Sequence, residues 1–162
     1  MGKLGRVTDF AVLIACVVLT ARLSENYYRR WTAPEEYKAG ETIADTKQLD
    51  LRGHHTLLMY TATTCHFCQE SMPFYRRMTN TARDAGVRVI GVATEDLGVN
   101  SDYLTRNGVV LDRVVSAQDN RLHLRGTPTL ILVGKDGTVE NVWLGKLPDE
   151  REREVLEAVK KG

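Results

Sequence analysis

The sequence is short of cysteine, proline and long apolar runs, and each shortage removes a class of protein. Three cysteines in 162 residues are too few for a disulfide-stapled scaffold or a four-thiolate zinc site. Four prolines and thirteen glycines exclude a collagen-like or low-complexity chain. Excess charge of one sign is missing as well. Lys and Arg number 22 against 21 Asp and Glu, a formal net charge of +1, without the basic surplus of a general nucleic-acid binder. No nucleic-acid partner is therefore expected. What is present suits one domain: roughly 100 to 200 residues is a usual domain length, and 43% hydrophobic with 27% charged residues is ordinary globular composition.

The most apolar stretch is Phe10 to Ala21 (FAVLIACVVLTA), preceded by Lys3 and Arg6 and followed by Arg22. As a helix it spans about 18 Å, short of the ~30 Å hydrocarbon core. Extension from Leu4 to Leu23 reaches about 30 Å if Arg6, Asp9 and Arg22 lie at the ends, where basic side chains snorkel. A basic start to an apolar run is the pattern of a targeting segment. No A-x-A site follows, and Tyr27, Tyr28 and Trp31 interleave with Arg29 and Arg30 as an interfacial collar would. Residues 1–23 are thus expected to be an uncleaved membrane anchor or signal-anchor, with lipidation at Cys16 as the weaker alternative. The flanking positive charges do not fix the orientation, because a long domain translocates largely regardless of them.

Residues 24–40, with Pro34 and Gly40, read as a linker, and residues 41–162 as the folded domain. Thr56 to Ala62 (TLLMYTA) reads as a buried strand. Cys65 to Asp84 follows as a helix kinked at Pro73 and closed by Gly86. Val87 to Ala93 is the next strand and Asn100 to Asn107 a helix, while Asn120 to Arg125 is at most a helical turn or two. Thr129 to Val133 and Val139 to Leu144 form a hairpin across Lys135-Asp136-Gly137. Pro148 then opens a last helix to Lys161, with Leu156 and Val159 turned toward the core. Strand, helix, strand, helix, hairpin, helix predicts an α/β fold: a central mixed sheet with helices on both faces, preceded by one N-terminal hydrophobic helix.

The chemistry concentrates in Cys65-His66-Phe67-Cys68, at the strand-to-helix junction after Thr63 and Thr64. A thiol at a helix start faces free N–H groups and the positive end of the macrodipole, which favour the thiolate that attacks disulfides. Three residues on, Cys68 shares the helix face and is within pairing reach. Cys65 is expected to be the exposed nucleophile and Cys68 the resolving thiol beneath it. His66, when protonated, would add to thiolate stability on Cys65. Gly126-Thr127-Pro128-Thr129 is the second feature, since a proline that cannot donate to a sheet belongs at a strand's first position.

With these pieces together, residues 40–161 resemble the thioredoxin superfamily, in particular its membrane-tethered TlpA-like and cytochrome c maturation branch. TLLMYTATTCHFC, Pro73 five residues after Cys68, VRVIGVA, the Asn107-Gly108-Val109 step, GTPT and the KDGTV hairpin carry the likeness. The resemblance implies a thioredoxin-like fold and a cis Thr127–Pro128 bond facing the cysteine pair, with the Thr127 backbone pairing with an incoming client. It implies an extracytoplasmic thiol–disulfide oxidoreductase, here a reductase on the periplasmic side. Protein thiols would be its clients, apocytochrome c among the analogies, with electrons from a membrane thiol donor and no cofactor or metal. Four departures stand out. Thr64 replaces the usual Trp before the first Cys, and His66-Phe67 replace a proline-containing pair. Met59 stands at the buried Asp of thioredoxins proper, and Ser71 at the Glu of some TlpA-like reductases. No proton acceptor for Cys68 is evident, and Glu95, just past a strand end, is the candidate.

Two other functions compete. A copper-binding metallochaperone on the same fold would use both cysteines and a histidine such as His123, although such relatives usually have three residues between their cysteines, where this chain has two. A peroxiredoxin-like peroxidase would place Thr three residues before the reactive Cys, where this chain has Ala62.

Overall fold

A computed structural model describes residues 12–24, 37–122 and 124–162. The chain divides into two units, with the boundary between Pro34 and Glu35. Of the first, residues 12–24 form a helix, α1. Val12, Leu13, Ile14, Val17, Val18, Leu19 and Leu23 are each 54–63% exposed on it. Among the described residues no helix is long and apolar enough to cross a membrane. The aromatic and basic stretch from Tyr27 to Trp31, the linker proline Pro34 and His123 lie outside the described residues.

The second unit is built on a five-stranded sheet in the order β3-β2-β1-β4-β5. The strands are β1 (Thr56–Tyr60), β2 (Arg88–Ala93), β3 (Arg113–Ser116), β4 (Thr129–Val133) and β5 (Val139–Leu144). β1, β2 and β3 run parallel, while β4 runs antiparallel to both β1 and β5. The mixed sheet of parallel and antiparallel strands matches the expectation. β3 is the strand that the pattern does not reveal. Its Arg-Val-Val-Ser buries only Val115, so no apolar run announces it. Its neighbour Gly91 records its presence, because a Cβ there would come within 2.7 Å of Leu111 and 3.2 Å of Val114.

The helix expected over Cys65–Asp84 is two helices, α2 (His66–Glu70) and α3 (Met72–Asp84), meeting at Ser71. The cause is Pro73, which has no N–H for the Gln69 carbonyl four residues back. Ser71 fills the joint, its hydroxyl donating to the Phe67 carbonyl at 2.8 Å. α3 ends where Gly86 takes φ +72° and Val87 N–H reaches back to Ala82 at 2.9 Å, a left-handed cap that favours glycine. The next helix, α4, spans Leu97–Arg106 rather than Asn100–Asn107, because Asp96 caps it through Val99 N–H. The helical turn expected at Asn120–Arg125 is not helical in its described residues; residues 117–121 form turns. Asn120 there is tied to Gln48 and Ser116 instead. The last helix, α5 (Asp149–Lys161), buries Val155 and Val159, with Leu156 only partly covered.

Strand alternation divides the core between the two faces of the sheet. Leu57, Met59, Leu130, Leu132 and Trp143 face one layer, filled by Phe74, Tyr75 and Met78 of α3, Leu104 of α4, and Val155 and Val159 of α5. Leu58, Ile90, Val92, Ile131 and Val133 face the other. That second layer is closed by non-helical segments carrying Ile43, Leu49, Leu51, Ala117, Leu122 and Leu124. Among the described residues helices therefore cover one face only and not both as expected, because the segments over the second layer are turns and loops held by side-chain bonds. The Asp45 carboxylate replaces helical bonding there by accepting Leu51 N–H at 2.8 Å and Arg52 N–H at 3.4 Å. Leu51 is fully buried, so Leu51→Ala is expected to lower unfolding stability by about 2–5 kcal/mol, as a core truncation does. Chemical denaturation checks this; a change of a few tenths would show that the non-helical layer is peripheral.

Candidate functional site

The sheet register gathers the expected site residues at one end. Tyr60, the last residue of β1, pairs with Val92 of β2 and with Thr129 of β4. Thr129 also pairs with Leu144, the last residue of β5. The chain leaving β1 toward Cys65, the chain leaving β2 toward Glu95, and Pro128 at the entry to β4 therefore share an edge. Gly145 N–H closes the group by donating to the Pro128 carbonyl at 2.8 Å. The Thr127–Pro128 peptide is cis; Pro128 is buried and Thr127 half-buried.

Cys65 and Cys68 are joined as a disulfide, with Cα atoms 5.2 Å apart. Cys65 is half-buried and Cys68 fully buried, so only the first presents sulfur to an incoming chain. Cys65 occupies the N-cap of α2, and its Sγ accepts Cys68 N–H at 3.1 Å. The same backbone donor would face a thiolate once the bond is reduced, the environment that favours the charged sulfur. Phe67 is 54% exposed beside the pair.

His66 points to solvent and meets Glu70 one turn on, Nε2 to Oε1 at 3.2 Å. Glu70 also receives Lys146 Nζ at 2.7 Å. That bond to Lys146 leads in holding the Glu70 carboxyl below its ordinary value. The pairs are exposed, and such contacts contribute little to stability. Their effect is to tie α2 to the turn after β5, next to the Pro128 contact.

Glu95 is more firmly held. Its Oε1 accepts Thr63 N–H at 2.8 Å, and its Oε2 accepts the Thr63 hydroxyl at 2.9 Å. Asn100 Nδ2 donates to the same Oε1 at 2.8 Å and to the Thr61 carbonyl at 3.3 Å. Burial works to raise the Glu95 pKa, but the bonds from Asn100 and Thr63 outweigh it and leave the carboxyl below its ordinary value. A carboxylate with its lone pairs so engaged is a poor proton acceptor and a good anchor. Asn100 and Thr61 are themselves fully buried, and Asn100 Oδ1 and Thr61 Oγ1 have no protein partner. Each such atom costs about 1–3 kcal/mol.

Sequence reasoning found the cysteines, Pro128 and Glu95 but missed Asn100, Thr63 as a ligand of Glu95, and the Glu70–Lys146 link. One signal was available for Asn100. It lies four residues before Leu104, on the core-facing stripe of α4, where a polar side chain needs a partner. His55 pairs with Glu140 at 2.8 Å and its side chain is largely covered. Among the described residues no group of three His, Cys, Asp or Glu side chains is placed to hold a metal ion.

Comparison with known proteins agrees with this arrangement. Two curated relatives are each named Thiol-disulfide oxidoreductase ResA. The one from Geobacillus thermodenitrificans is 26% identical over 80% of this chain and 76% of its own. The one from Geobacillus kaustophilus is 25% identical over 96% of this chain and 94% of its own. Among solved structures, the thioredoxin domain of a thiol-disulfide oxidoreductase from Bacteroides vulgatus superposes with a TM-score of 0.60. It is 19% identical, covering 76% of this chain and 99% of that one, which speaks for the fold alone. The thioredoxin-like domain profile matches residues 43–160. A β1–CxxC–helix unit beside a strand that Pro128 precedes, on a family match across most of its length, makes this chain a member of the thioredoxin-like domain family.

Proposed function

We propose that this chain is a thiol–disulfide oxidoreductase that acts as an extracytoplasmic reductase of protein disulfides, tethered to the membrane by residues 1–23. The observation that carries the redox reading is the Cys65–Cys68 disulfide, with one sulfur accessible and the other buried. In the reduced protein, Cys65 thiolate attacks one sulfur of a client disulfide. The client S–S bond breaks, a Cys65–client bond forms, and the departing client sulfur takes a proton. Cys68 then attacks Cys65 Sγ and releases the second client sulfur, which is also protonated. Two electrons and two protons have passed to the client, and the Cys65–Cys68 disulfide seen here is the product. A dithiol donor at the membrane must return them. Thr127, half-buried beside the pair's end of the sheet, supplies the backbone against which an extended client lies, and Phe67 adds an exposed apolar contact.

The anchor rests on the apolar face of α1, which has no covering described within its own unit. Its described length of about 20 Å does not span a bilayer by itself, so spanning requires residues before it. Residues 24–40 then serve as the tether and 41–162 as the catalytic domain.

Titration of the full chain in glutathione and dithiothreitol buffers, with the Cys65–Cys68 peptide read by alkylation and mass spectrometry, is expected to give a midpoint at or below about −250 mV, near thioredoxin. A value near −120 mV, as in the oxidant DsbA, would make the chain a disulfide donor instead. Reading that one peptide excludes the exposed thiol of Cys16. Cys68→Ser should accumulate mixed disulfides with clients, and Cys65→Ser should form none. Equal trapping by both variants would remove the division of roles. In spheroplasts of a bacterial host, a membrane-impermeant maleimide should label reduced Cys65 without lysis; labelling only after lysis would put the domain in the cytoplasm.

A further inference from the structure

Three hydrogen bonds hold the Glu95 carboxylate against the turn that carries the reactive cysteine. Thr63, two residues before Cys65, gives Glu95 both its N–H and its hydroxyl. Two residues span at most about 7 Å, so the carboxylate is fixed to the same turn that carries Cys65. The turn itself continues the chain of contacts, since Cys65 N–H donates to the Ala62 carbonyl at 3.1 Å. Asn100 holds the far side, bridging Glu95 and the Thr61 carbonyl from a fully buried position. Its Oδ1 and the Thr61 hydroxyl are left without partners, so the cluster is not arranged for stability alone.

We propose that Glu95, fixed by Thr63 and Asn100, is a positioning residue whose permanent negative charge opposes thiolate formation on Cys65 and so keeps the Cys65–Cys68 pair a reductant. This rests on the oxidoreductase reading and adds how its direction is set. The sign follows from electrostatics. A nearby anion disfavours a second negative charge. A less stable thiolate means a less stable reduced protein, and the disulfide becomes harder to reduce. Glu95 therefore counters what the helix start at Cys65 and a protonated His66 promote. It acts through the turn rather than as an acceptor of the Cys68 proton, for which its lone pairs are already engaged.

Glu95→Gln in the full chain keeps the size of the side chain and removes the charge. Its Cys65 alkylation at pH 7 should be severalfold faster than wild type, because removing a nearby like charge raises the thiolate fraction. The pH profile of alkylation should move to lower pH and the redox midpoint should become less negative. Glu95→Asp, which restores the charge, should return both toward wild type. Thermal unfolding of each variant reports any packing loss separately. An unchanged profile and midpoint in Glu95→Gln would overturn the inference, as would an equal shift in Glu95→Asp. A wild-type chain that forms no reversible Cys65–Cys68 disulfide would instead overturn the function on which the inference rests.

Discussion

The structure depends on how β1 is paired at its C-terminal end. Tyr60 sits between Val92 of β2 and Thr129 of β4, one neighbour parallel and the other antiparallel. Parallel pairing with β2 obliges the chain to cross over through α2 and α3, which puts a helix start directly after β1. Antiparallel pairing with β4 brings the beginning of that strand, and Pro128, to the same edge. A slip of one residue in either ladder would send each β1 side chain into the opposite core layer. Leu57 and Met59 are packed in one layer and Leu58 in the other, and close packing on both faces opposes that slip. The apolar core thus fixes the location of the chemistry without any core residue taking part in it.

Pro73 divides the crossover into a short active-site helix and a long packing helix. α3 carries the core contacts, with Phe74, Tyr75, Met78 and Ala82 buried, and α5 lies against it through Arg77–Glu152 at 2.6 Å. α2 buries only Cys68. The five residues that hold the disulfide are therefore anchored by polar links: Ser71 at one end, Glu70–Lys146 at its side, and Thr63–Glu95 behind the preceding turn. A segment held by hydrogen bonds rather than by apolar packing can change with redox state without disturbing the core.

Much of this was legible because local chemistry and long-range packing agree. The strands Thr129–Val133 and Val139–Leu144 and their Asp136-Gly137 turn are continuous local signals, and the structure places them as read. The CxxC motif likewise marks its own position after an apolar run. Legibility fails where a residue's meaning comes from a distant partner. β3 is a strand because Gly91 leaves room beside β2, and nothing in Arg-Val-Val-Ser declares it. Leu49 and Leu51 complete a core layer by way of the Asp45 side chain, where periodicity shows neither helix nor strand. Glu95 could be singled out by its place after a strand, but its lowered pKa depends on Thr63, 32 positions earlier, and on Asn100 in the next helix.

The absence of an acid at position 59 gives Glu95 its importance. Met59 is fully buried within the layer formed by α3 and α5, and β1 carries no carboxyl group. The described charges around the site are then peripheral: Glu70 with His66 and Lys146 on the solvent side, and Glu95 on the side of β2. Of these, Glu70 is shared between Lys146 and His66 and faces water, where screening weakens its field. Glu95 has no cationic partner among its recorded bonds; amide and hydroxyl donors hold it. Neutral donors stabilise a carboxylate without cancelling its charge. Its field at the Cys65 turn is consequently the less compensated of the two, which gives a side chain outside the CxxC motif a larger part in the dithiol's direction than the adjacent His66–Glu70 pair.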